Sequence, residues 1–174
     1  EKISAEEAAS YDVFWKADAK GKVGHFDWHL PNLGMMSLRN GNGAKLWDQD
    51  DGGWKKIQET TMSLRPQVGG FFDYNGTFSG LKNGEMWLMC GIGDWITGVL
   101  QRDGAKVASV VPKQGGIQFT ESWSIGKGTQ KADLAKKFVQ YMASPEGQVH
   151  GARMAAYPGF CVTKAGMKLL NEKD

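Results

Sequence analysis

Short strand-like stretches alternate with segments of helical period along most of this chain. That alternation restricts the fold more than any other feature. Gly21-Lys22-Val23-Gly24-His25-Phe26-Asp27 reads as a strand behind a glycine turn, and residues 68–74, 85–90, 106–111 and 118–125 read as further strands. Between them lie helical segments. Ser4 with Glu7 three residues on forms a capping box that opens a first helix reaching about Trp15. Pro31 suits the first turn of a helix carrying Leu33, Met36 and Leu38. Trp54, Ile57, Thr61 and Leu64 fall on one face of another helix, with Asp50 and Asp51 at its positive end. Helices are also expected over 76–81, over 94–101, around Leu134, Phe138 and Tyr141, and after Ser144-Pro145. Strands separated by helices imply an α/β architecture around a mostly parallel sheet.

The 174 residues can bury a real core. Basic and acidic residues nearly balance, at 21 and 19, which leaves no electrostatic basis for nucleic-acid or anionic-membrane binding. No apolar run approaches the ~18–20 residues that span a bilayer. The first residues, Glu1-Lys2-Ile3-Ser4, do not form a secretion signal, as is also the case in a mature exported protein. Cys90 and Cys161 are compatible with one disulfide or with two buried thiols.

Motifs of catalysis or cofactor binding are weak. Asp48, Asp50, Gly53 and Glu59 fit some positions of a calcium loop, but Gly52 removes an oxygen ligand, and an acidic helix start explains the same residues. Gly91-Ile92-Gly93-Asp94 follows a strand and opens a helix, yet Ile96 stands where a dinucleotide fingerprint needs glycine. His25 and His29 lack further metal ligands. No cofactor, no metal and no catalytic group is expected. A different pattern points to a ligand. Acids sit beside aromatics at strand ends, in Asp27-Trp28, Asp94-Trp95 and Phe119-Thr120-Glu121-Ser122-Trp123, with Tyr157-Pro158 at a helix exit. A carboxylate flanked by ring faces receives an organic ammonium through charge-assisted hydrogen bonds and cation–π contact.

From Val110-Val111-Pro112-Lys113-Gln114-Gly115-Gly116-Ile117 through Phe119-Thr120-Glu121-Ser122-Trp123-Ser124-Ile125 the chain resembles the periplasmic spermidine/putrescine-binding proteins of ABC importers. These are type II periplasmic binding proteins. The likeness continues through Ala135-Lys136-Lys137-Phe138, Ser144-Pro145-Glu146, Tyr157-Pro158 and Lys168-Leu169-Leu170, and upstream in Leu81-Lys82-Asn83-Gly84-Glu85-Met86-Trp87-Leu88. The resemblance implies a two-lobed clamshell that captures a polyamine reversibly in the periplasm and delivers it to a membrane permease. It assigns amine binding to Asp94 and Glu121 and chain lining to Phe119 and Tyr157. Trp28 and Trp95 are expected neighbours. Gly91 stands where many members have a lining tryptophan, and Asn32 or His29 where spermidine binders have an acid. Those departures leave open another solute on the same fold, or, on clustered carboxylates alone, an enzyme.

The resemblance further implies that the chain is partial and lacks an N-terminal segment building most of the first lobe, which would be its partner. Residues 1–118 are expected to form the second lobe and 119–162 a return into the first, with a hinge near 117–122. Residues 163–174 would start the final passage back. Alone, such a chain is expected to expose apolar lobe surface.

Overall fold

The computed structural model describes residues 2–172. The chain divides into two compact units, Glu1–Gln118 and Phe119–Asp174.

The first unit opens with α1 (Ala5–Ala8). The Ser4 hydroxyl accepts from the Glu7 amide at 3.2 Å, and the Glu7 carboxylate accepts from the Ser4 amide at 2.8 Å, as the capping box predicts. The helix ends well short of Trp15. The Ser10 hydroxyl accepts the Asp12 amide hydrogen at 3.2 Å and starts a separate 3-10 turn, Tyr11–Trp15. A side chain that offers the backbone a local acceptor competes with helix continuation. The turn buries Tyr11, Val13 and Phe14.

Strand β1 (Val23–Phe26) follows and is buried throughout. Then come α2 (His29–Arg39), α3 (Asp51–Ser63), β2 (Val68–Phe72), α4 (Tyr74–Lys82), β3 (Leu88–Cys90) and α5 (Trp95–Arg102). The Asp50 carboxylate caps α3 by accepting from the Gly53 amide at 2.7 Å, so the acidic run that resembled a calcium loop is a helix start. The three strands form one parallel sheet in the order β2-β1-β3. Central β1 is covered on both faces, so its sequence shows no polar alternation. Gly24 sits where a Cβ would come within 2.7 Å of the Met89 side chain, so a larger residue would push the two strands' side chains apart.

The core joins Tyr11, Val13, Phe14, Val23, Met36, Leu38, Ile57, Leu64 and Cys90, with Leu33 and Ile117 packed on it. The Tyr11 hydroxyl donates to the Gly115 carbonyl at 2.9 Å, and Gln114 bonds both the Tyr11 amide and the Ser10 hydroxyl. These bonds fasten the end of the unit to its first turn. Two expected strands do not form. Residues 106–111 and 118–125 carry no regular structure, and Val110, Val111, Phe119, Trp123 and Ile125 are exposed. An alternating pattern marks a face, but a strand also needs a neighbour's amides and carbonyls, and neither stretch joins a ladder among the described residues.

The second unit contains α6 (Ala132–Ala143), α7 (Pro145–Ala152) and α8 (Lys164–Glu172). Ser144 caps α7 through the Gly147 amide at 3.2 Å, with Pro145 in the first turn as expected. Gly147 lies directly against the Tyr141 carbonyl, which admits no side chain there. Helix α7 packs against both α6 and α8. Residues 164–172, the described helix of the 163–174 segment, thus lie in the same unit as 119–162, and residues 173–174 are outside the described range. Gln148 links the helices: its amide donates to the Met142 carbonyl at 2.9 Å and its oxygen accepts the Val162 amide at 2.7 Å. Val149 and Cys161 are buried, while Leu134, Phe138, Tyr141, Phe160 and Val162 are exposed.

Candidate functional site

Because all three strands run parallel, their carboxyl ends share one edge of the sheet. Ligands of open α/β sheets bind outside this edge. In the first unit each strand end is followed by an acid and an aromatic residue. Asp27-Trp28 follows β1 directly, Asp73-Tyr74 follows β2 directly, and Asp94-Trp95 follows β3 after the Gly91-Ile92-Gly93 loop. Phe26 pairs with Phe72, and the Asp27 amide donates to the Phe72 carbonyl at 2.9 Å, so the first two pairs are neighbours. All three acids are exposed.

Asp73-Tyr74 was not singled out by the sequence analysis. Its signal was the same acid–aromatic pair at a strand exit, hidden because residues 68–74 read as one continuous strand. The structure ends β2 two residues earlier, and Asp73 then caps α4 by accepting from the Gly76 amide at 2.8 Å. Asp94 stands at the N-cap position of α5 but makes no side-chain capping bond.

The rings form a chain along this rim. Phe26 and Tyr74 centroids are 4.7 Å apart, Tyr74 and Trp95 5.8 Å, and Trp95 and Phe78 5.7 Å. Trp28 is about half exposed, and His29 is exposed at the start of α2.

Asn32 faces the protein. Its Nδ2 donates to the carbonyls of Phe26 and Trp28, each at 2.7 Å, and its Oδ1 lies 2.8 Å from His25 Nδ1. His25 is buried and stacks on Phe71 at 5.5 Å. Burial pushes its pKa below the ordinary value, with the Asn32 hydrogen bond opposing that shift. Gly91 has φ +79°, and a Cβ there would lie 2.6 Å from the Asn32 amide.

In the second unit the Tyr157 hydroxyl donates to Glu121 Oε1 at 2.6 Å. Glu121, Ser122 and Trp123 line an open concavity of about 390 Å³. Trp123 meets Phe138 edge-on at 5.3 Å, and Phe119 is 55% exposed. The expected residues thus fall into two groups: Trp28, His29, Asn32, Asp94 and Trp95 in the first unit, and Phe119, Glu121 and Tyr157 in the second. Among the described residues no group of three or more His, Cys, Asp or Glu is arranged to hold a metal ion.

The family of bacterial extracellular solute-binding proteins matches the chain over residues 1–165. The chain belongs to that family. The fold of this solute-binding protein is similar to a crystal structure of an ABC transporter from Clostridium perfringens ATCC 13124, with a TM-score of 0.58 at 20% sequence identity. That similarity covers 92% of this chain and 52% of the other, so the chain spans about half the length of that structure. No curated protein matches the chain. The family is one of solute-binding proteins, which is not a class of enzymes, and its description names no solute.

Proposed function

We propose that the protein is the solute-capturing component of an ABC importer, exported to the periplasm, and that its solute is a cationic amine of the polyamine type. The observation that carries this is the repeated acid–aromatic pair at all three strand ends of one parallel edge. A linear polyamine alternates ammonium groups with alkyl stems. Dispersed carboxylates meet the former, and the exposed rings of Tyr74 and Trp28, with Trp95 packed beside Tyr74, cover the latter. Each charge-assisted bond contributes about 1.5–3 kcal/mol. Glu121, oriented by Tyr157, and Phe119 present the same two chemistries in the second unit.

Binding is reversible and involves no covalent step. Two lobes close on the solute and hand it to a membrane permease, with residues 1–118 as the second lobe and 119–162 returning to the first. The division of the chain after Gln118 supports a hinge near 117–122. A second reading keeps this fold and changes the solute. It is favoured by Asn32, whose amide is committed inward, and by Gly91, which leaves one side of the rim without a side chain.

Calorimetric titration with spermidine and putrescine, beside a neutral diol of matched length, tests the amine reading. Carboxylate-dependent heat with the amines alone supports it. Equal binding of the diol, or no heat with any amine, overturns it.

A further inference from the structure

Helix α2 touches both loops that carry the free rim acids. Asn32 in its first turn holds the loop bearing Asp27 and Trp28 through the Phe26 and Trp28 carbonyls. Met35, one position-triplet further on the same helix face, accepts the Gly91 amide hydrogen on its sulfur at 3.1 Å. Gly91 begins the loop that leads to Asp94, and its left-handed backbone brings it against the Asn32 amide. Both Asn32 hydrogens go to carbonyls, so Oδ1 faces His25 and the His25 Nδ1 carries the hydrogen. The Asn32 side chain is therefore committed to three partners, all on β1 and the loop that follows it: the Phe26 and Trp28 carbonyls and the buried His25 ring.

We propose that Asn32 is the positioning residue of this rim: it touches no solute, holds the β1–α2 loop by hydrogen bonds, and packs against Gly91 at the start of the β3–α5 loop, which Met35 ties to the same helix. This rests on the amine-capture reading for its consequence, but its structural content stands apart from any ligand. Gly91 is then glycine because Asn32 fills the space a side chain would need. The two positions are coupled.

Wild type, Asn32→Ala, Gly91→Ala and the double variant of the full chain, compared by thermal denaturation, decide the coupling. Gly91→Ala should lower the melting temperature more in wild type than beside Asn32→Ala, where only the backbone strain remains. Equal losses overturn the proposal. Should Gly91→Ala not fold, recovery of folded protein in the double variant supports the coupling, and failure of both overturns it.

Amine titration of Asn32→Asp adds a readout that simple space-filling would not move. Aspartate keeps the size and the acceptor for His25 but loses both donated bonds. A positioning residue so changed should weaken amine affinity about tenfold. A direct contact to an ammonium would instead gain a charge and bind tighter, which overturns the proposal. If the wild type binds no amine, the capture reading fails, and the melting cycle still decides the coupling.

Discussion

The Tyr157 hydroxyl points at one carboxylate oxygen of Glu121 and donates to it across 2.6 Å. The bond joins residues 36 positions apart in sequence and lies on an exposed surface. It holds the carboxylate in one orientation and leaves Oε2 free of that bond. Tyr157→Phe should lower amine affinity by about tenfold, the weight of one charged hydrogen bond. Glu121→Gln should cost a cation more and a neutral solute little. Titrations of both variants compare the two, and equal loss for neutral and charged solutes would remove the role of Glu121.

The rim makes a parallel prediction for the first unit. Asp94→Asn and Asp27→Asn should each weaken a polyamine by about ten- to a hundredfold. Melting temperatures should change little, because both side chains are exposed and Asp94 makes no capping bond. Asp73→Asn keeps a capping residue and should behave alike. A thermal-shift series with and without amine separates affinity from stability.

Acid should act on the first turn of the chain. The Lys16 ammonium, 2.6 Å from Glu7, and the Ser4 amide lower the Glu7 pKa from the ordinary 4.5 to about 2. A depressed carboxylate stabilises the folded state above its unfolded pKa and loses that contribution as pH falls through its folded value. The window is therefore between about 4.5 and about 2. Glu7→Gln should flatten the melting temperature across that window, measured by circular dichroism. Both side chains are partly exposed to solvent, so added salt should shrink the difference.

Cys90 is fully buried at the end of β3, and burial pushes its thiol pKa up. Cys161 is buried in the second unit, and both cysteines are free. A buried protonated thiol is a poor nucleophile. Alkylation by iodoacetamide should be slow for native protein and rapid for both thiols in denaturant. Fast native labelling at Cys90 would contradict its burial.

Ile57 on α3 and Leu64 at its C-cap are completely enclosed. Replacing either by alanine should cost about 2–5 kcal/mol, seen in urea denaturation. Tyr11→Phe is gentler. It keeps the ring and removes the bond to Gly115, for a cost of about 1 kcal/mol. The same environment pushes the Tyr11 phenol up to about 12, mainly by burial.

The helices and central strands were legible because their signals are local. The Ser4–Glu7 capping box, the Trp54–Leu64 face, Ser144-Pro145 and the run ending at Phe26 each carry their instruction within a few residues. So were Asp27-Trp28 and Asp94-Trp95, which announce strand exits by composition. Other features depend on what lies opposite. Residues 106–111 and 118–125 have strand-like patterns but no ladder, since pairing needs a second backbone that the pattern does not supply. The boundary of β2 was set by Asp73, which bonds forward to Gly76 and begins a helix. The inward turn of Asn32 and the left-handed Gly91 are matched to each other across 59 positions, and only folding brings them together. Local propensity and periodicity thus marked where the helices and the three paired strands lie, but not where each one ends. The shared rim, the register Phe26–Phe72 and the fit of Gly91 against Asn32 were decided by tertiary contact, because parallel pairing and side-chain packing join groups that the chain keeps far apart.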